Sequence, residues 1–202
     1  MTRRLALTGG SGSGKGCAAA ALRQRGIPTL DTDALVHLFY RGGSLPRQLA
    51  DLFGEKILAP DGSVDRAALG QIVFADPEAL GRLNGIVHAR VRDFADVWMR
   101  NHIAAGFPIV AVDAPQLFEA GMAGDFDAVI AVTAPEEDRL RRILARDGIT
   151  EEKARARLAA QYDEAFFREN ADYVLENPDG QPLSELGNQL DAILRDLNTD
   201  SL

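Results

Sequence analysis

The sequence predicts an α/β fold built on a parallel sheet, on three observations. Two apolar, β-branched runs, FPIVAVDA (residues 107–114) and DAVIAVT (residues 127–133), read as strands buried on both faces. Strand-like and helix-like segments alternate along the chain, as βαβ units require. Between the first strand-like and the first helix-like segment stands GGSGSGKGCA (residues 9–18), a glycine-rich connection of the kind that wraps an anion at a helix N-terminus.

Residues 3–8 (RRLALT) read as the first strand, and residues 15–25 (KGCAAAALRQR) as a helix that Gly26 stops. A second strand at residues 27–30 leads into Asp31-Thr32-Asp33. The pattern from 34 to about 105 is mostly helical, with turns at RGGS (41–44) and PDGS (60–63), and Pro77 marks the start of a long helix. After the two apolar strands come a charged helical stretch (135 to about 160), a fifth strand (172–176, DYVLE) and a closing amphipathic helix (183–197). The expected organisation is a single domain over 1–202. Its core takes in about 1–33, 106–134 and 170–202, with a helical insertion at about 34–105 and a lid at about 135–165.

A chain of 202 residues, 46% hydrophobic, can bury a substantial core. The formal net charge of −8 opposes broad binding to nucleic acid or to an anionic membrane, so any phosphorylated ligand needs locally placed cations. One cysteine excludes an internal disulfide and suits a reducing compartment. The apolar run after Met1 ends at Gly9, too short for a secretory leader, and no stretch is apolar enough to span a bilayer. The expected location is the cytoplasm, with no obligatory protein partner. Three histidines and one cysteine leave no soft-metal cluster.

Gly9 and Gly14 have the spacing of a phosphate-binding loop, and Lys15 follows to neutralise phosphate oxygens. Gly16 stands where such loops carry a Ser or Thr whose hydroxyl holds magnesium, and the Cys17 thiol is a poor ligand for that hard ion. Asp33 fits two roles, a base or water-mediated magnesium ligand at the carboxyl end of a strand, or the N-cap of the helix after it. Asp113 ends the third strand and fits either an acid near the metal or the start of a turn. Arg142 and Arg146, one helical turn apart, suit either phosphate contacts or a solvated face, which Glu136, Glu137, Asp138 and Arg139 also suggest. By spacing alone, His88 reads as a packed or surface histidine.

Six segments together resemble the dephospho-CoA kinase family: LTGGSGSGKG, GIPTLDTDALV, LFGEKILAPDGSVDRAALGQIVFADPEALGRLNGIVH, DAPQLFEAG, VTAPEEDRLRRILARDGIT and AAQYDEAFFRENADYVLEN. They run in order from about 5 to 177. The resemblance implies a P-loop, three-layer α/β/α fold with a five-stranded parallel sheet, a helical substrate-binding insertion and a helical lid. It implies transfer of phosphate from ATP to the ribose 3′-hydroxyl of dephospho-CoA, giving CoA and ADP in the last step of coenzyme A synthesis, with Mg2+ as cofactor. The residues it implies for ATP are Gly9, Gly10, Ser11, Gly12, Ser13, Gly14, Lys15, Gly16, Cys17, Arg142, Arg146 and Asn177. For the acceptor they are Asp33, as base, and His88, Pro115, Leu117, Phe118 and Glu119. Lys15, Asp33 and Arg142 form the expected catalytic set, and Asp33 and Asp113 the water-mediated metal set. The sequence departs from the family pattern at Gly16, at Gln116 in place of leucine and at Ala89 in place of proline. Two other readings are another small-metabolite or nucleotide kinase of this fold, and a nucleotide-binding homologue inactivated by the loss at position 16.

Overall fold

The computed structural model describes residues 2–199. Five strands form one sheet in the order β2-β3-β1-β4-β5: β1 (Arg3–Thr8), β2 (Thr29–Asp31), β3 (Ile109–Asp113), β4 (Ala128–Thr133) and β5 (Tyr173–Glu176). β1 pairs in parallel with β3, Leu7 facing Asp113, and with β4, Thr8 facing Ala131, and β4 pairs in parallel with β5. The sheet is parallel throughout, as the two-faced apolar runs predict, and every residue of β3 and β4 is buried.

Strand alternation divides those residues between the two faces. Leu5, Leu7, Ile109, Ala111, Ile130, Val132 and Leu175 share one core with Ala18, Ala19 and Leu22 of α1 (Lys15–Gln24) and Leu186, Leu190, Ile193 and Leu197 of the closing helix. Truncating Leu22 to Ala at this contact would cost about 2–5 kcal/mol. The alternate residues, Ala6, Val110, Val112, Val129 and Ala131, are buried on the opposite face, which gives the three-layer α/β/α arrangement.

The chain divides into two compact units, Met1–Leu30 with Met99–Leu202, and Asp31–Trp98. The second contains α2 (Thr32–Arg41), α3 (Leu45–Phe53), α4 (Arg66–Val73) and most of α5 (Pro77–Ala104). This unit overlaps the expected insertion at about 34–105, and α5 runs unbroken through its C-terminal boundary. Asp65 caps α4, accepting from the Ala67 and Ala68 N–H groups at 2.9 and 3.0 Å.

The charged helical stretch after β4 consists of two helices, α6 (Glu136–Asp147) and α7 (Glu151–Ala159). Gly148, left-handed at φ 61°, ends the first, and Thr150 caps the second. A further short helix, α8 (Glu164–Asn170), capped by Asp163, was not expected from the sequence, and α9 (Leu183–Thr199) closes the fold. Among the described residues no helix is long and apolar enough to cross a membrane.

Candidate active site

The glycine-rich loop leaves the carboxyl end of β1, the central strand, and enters α1. From there the chain runs to β2 on one side, whereas β4 leads to β5 on the other, so the loop sits where the connections diverge. Gly14 takes a left-handed φ of 93° as α1 begins, and a Cβ there would strike the Asn177 side-chain amide. α1 has neither a side-chain cap nor an acidic residue in its first turn. The Cys17 N–H turns back to the Gly14 carbonyl at 2.9 Å, which leaves the Lys15 and Gly16 N–H groups and the positive end of the helix dipole for an anionic ligand.

Lys15 heads α1 and forms an ion pair with Asp113. Asp113 is buried at the end of β3, so the strand-end reading acquires a partner: a carboxylate and an ammonium share one charge site behind the loop. Gly16 and Cys17 are exposed in the first turn of α1. A Cβ at Gly16 would meet nothing within 4 Å, and the backbone there is not left-handed, so space does not require glycine.

The loop's underside rests on lid-side residues. Arg142 donates from Nη1 to the Gly12 and Ser13 carbonyls at 3.0 and 3.3 Å, from Nη2 to the Asn177 carbonyl at 2.8 Å, and from Nε to Asp179 at 2.9 Å. Asn177 donates its side-chain amide to the Ser13 carbonyl at 2.9 Å. Both residues therefore meet the loop. In this conformation, however, the Arg142 guanidinium is committed to backbone carbonyls and to Asp179. Arg146 does something different. It donates to Asp147 at 2.7 and 3.0 Å, and with Arg157 it holds that carboxyl down at about 2. The two arginines, expected to act on one face, divide between the loop and Asp147 at the end of α6.

Sequence reasoning missed three residues at the loop. Asp179 pairs with Arg142 and Arg141. Arg139, read as part of a solvated face, is buried and donates to the Ser11 carbonyl. Gln161 accepts from the Ser11 N–H. For Arg139 a signal existed: it lies one turn before Ile143 and beside Leu140, both buried. Nothing local marks Asp179 or Gln161.

The PQLFE turn follows β3. Phe118 meets Phe166 edge-on at 5.1 Å, and Phe166 stacks on Tyr162 at 3.7 Å. Leu117 is fully buried and so anchors the turn from within; Pro115 is half-buried and Glu119 exposed. Gln116 is exposed, so its replacement of leucine removes no core packing. Beside this aromatic group lies a cleft of about 830 Å³, lined by Ala134, Arg139, Arg155, Tyr162 and Phe166 among others, within the size range of small-molecule sites.

In the inserted unit, Asp31 is the N-cap of α2, accepting from the Ala34 N–H at 2.9 Å. Asp33 stands exposed in the first turn without that duty, so the capping alternative for Asp33 is corrected. His88 is half-buried in α5.

A loop of this kind, at the end of the central strand of a parallel sheet and backed by arginine-bearing helices, places the molecule among the P-loop kinases. Comparison with known proteins narrows the class. The family model described as dephospho-CoA kinase matches residues 3–182, and the chain belongs to that family. The dephospho-CoA kinase of Mesorhizobium japonicum is 42% identical over 193 residues, covering 96% of this chain and 95% of that protein. A crystal structure from Thermus thermophilus superposes with a TM-score of 0.82 at 38% identity, covering 97% of this chain and 98% of its own. The dephospho-CoA kinase of Campylobacter jejuni shares the fold, with a TM-score of 0.73 at 24% identity and full coverage of both chains. The chain is thus an enzyme that phosphorylates dephospho-CoA with ATP in coenzyme A biosynthesis.

Proposed function

We propose that the loop from Gly9 to Lys15 holds the ATP phosphates and that Asp33 is the base on the acceptor's ribose 3′-hydroxyl. The observation that carries the donor half is the uncapped head of α1 with Lys15 paired to Asp113. The N–H groups of Lys15 and Gly16 bind phosphate oxygens, and Lys15 exchanges Asp113 for the transferring group. Asp33 takes the hydroxyl proton as the ribose oxygen attacks the γ-phosphorus, and ADP leaves in line. Phe118 and His88 pack the acceptor. Asn177 and Arg142 fix the loop on the nucleotide side.

Magnesium is the proposed cofactor. Among the described residues no group of three or more His, Cys, Asp or Glu is placed to hold a metal. An ion that arrives on the nucleotide keeps several waters and takes one or two protein carboxylates, a role proposed for Asp113, buried beside Lys15, and for Asp33, both through water. When bound, it would neutralise charge on the β- and γ-phosphates. The proposed ligands are ATP and dephospho-CoA alone, and the single cysteine suits the cytoplasm as the place of reaction.

Protein incubated with ATP, magnesium and dephospho-CoA should release ADP only when the acceptor is present, and form CoA of the correct mass. Folded protein that binds ATP yet forms no CoA would overturn the proposal.

A further inference from the structure

Ser11 is held through both of its backbone groups by two side chains from the lid side. Its N–H donates to Gln161 Oε1 at 2.9 Å, and its carbonyl accepts from Arg139 Nε at 2.9 Å. Gln161 lies just beyond α7 and Arg139 lies in α6.

Arg139 is 7% exposed, an uncommon burial for arginine. Its Nη2 is buried with no hydrogen-bond partner. Arg139 lies close against the loop: a Cβ added at Gly10 would come within 2.9 Å of Arg139 Cζ, and one at Gly12 within 2.6 Å of the Arg139 carbonyl. Burial pushes the guanidinium's pKa down, and Glu136 and Glu164 oppose that shift. A buried guanidinium with one N–H group left unsatisfied is a poor stabiliser, since an apolar side chain of similar size would pack at least as well. Its placement instead suits the loop it touches.

We infer that Arg139 and Gln161 are positioning residues that fix the Ser11 peptide and so set the first turn of the phosphate loop. With the Ser11 N–H engaged by Gln161, the phosphates are left to the amides at the head of α1. With its carbonyl engaged by Arg139, the peptide cannot rotate to offer an oxygen to the phosphates. The buried guanidinium also adds positive potential behind the loop. The inference rests on the ATP-site reading of that loop.

Calorimetric titration with magnesium-ADP, which needs no turnover, tests both readings separately. Wild-type protein that fails to bind ADP would overturn the site reading and this inference with it. Given wild-type binding, Arg139→Gln should weaken ADP about tenfold and Gln161→Ala about threefold, the scale of a charged and a neutral hydrogen bond. The double variant should lose less than the product of the two, because both side chains act on one peptide. Steady-state KM for ATP should rise in parallel, while KM for dephospho-CoA stays within about twofold. Unchanged ADP affinity in folded variants, equal rises in both KM values or a fully multiplicative double variant would each overturn the inference. If Arg139→Gln does not fold, Gln161→Ala, at a half-exposed position, decides alone by the same ADP and KM readouts.

Discussion

In the loop-bearing unit, Lys15 is paired with Asp113, and Arg142 and Asn177 are bound to loop carbonyls. In the inserted unit, Asp31 takes the capping role and Asp33 stands exposed beside it. The difference follows from what each side has to do. A phosphate cradle works through backbone groups, which need fixing from behind and cost nothing to reorganise when fixed. A base works through one carboxylate, which has to remain available to accept a proton. The proposed donor groups are therefore marked by what they hold, and the base proposed at Asp33 by a capping duty that Asp31 has taken.

The largest expected effect tests the acceptor half of this comparison. Asp33→Asn should lower kcat by roughly 10²-fold or more, with the fold and ADP affinity retained. Asp31→Asn should be nearly silent, because Asn caps a helix about as well as Asp. Near-normal turnover in the Asp33 variant would remove it as the base, and a large fall in the Asp31 variant would reverse the assignment.

Arg142→Lys tests the donor half, with a smaller effect. Lysine keeps the charge but loses the planar fork that reaches Gly12, Ser13 and Asn177 together. If Arg142 holds the loop, KM for ATP should rise about tenfold with kcat little changed. A fall in kcat at constant KM would instead show that Arg142 leaves the loop to meet the transferred phosphoryl group.

How far the sequence reaches differs between these halves for a physical reason. The sheet was legible because burial on two faces gives β3 and β4 unbroken apolar runs, and the loop because its glycines, its lysine and the flanking strand and helix are contiguous. Expected boundaries moved where the hydrogen-bonding partner is remote: β2 is Thr29–Asp31 rather than 27–30, its register set by β3 some 80 residues on. The grip on Ser11 was invisible because Gln161 is 150 positions away and carries no periodic signal. Arg139 was misread because a run of charges hid the apolar face that Leu140 and Ile143 mark. Asp33 could not be separated from a cap until the backbone showed that Asp31 accepts from Ala34.

Gly16→Ser sharpens the donor half further, with a gain rather than a loss. The open space around a Cβ at position 16 removes the objection that a serine would clash. An added hydroxyl beside the phosphates should lower the magnesium concentration for half-maximal rate by several-fold, on the scale of one hydrogen bond to a charged group. Affinity for metal-free ADP should stay put. A folded, active variant with an unchanged magnesium requirement would refute the idea that glycine at position 16 weakens the hold on magnesium.

The smallest expected effect lies on the outer face of α6, where arginines meet carboxylates in water instead of loop carbonyls. Arg146 and Arg157 both pair with Asp147, whose carboxyl is held at about 2 against an ordinary value of 3.8. Two effects oppose each other there. Asp147 is the last residue of α6, so the helix dipole disfavours its charge, while the two guanidiniums favour it. The lowered carboxyl means that the guanidiniums win, though side chains this exposed are screened by salt and gain little. A group with a depressed folded pKa contributes stability above its unfolded value and loses it as pH falls through the folded one. Asp147→Asn should therefore melt slightly below wild type at neutral pH, and the gap should close between about pH 4 and pH 2. High salt should narrow it at every pH. If the variant instead melts above wild type at neutral pH, the dipole outweighs the pairs. The pairs of Asp147 would then contribute nothing to holding α6, in contrast to the contacts of Arg139 and Arg142 with the loop.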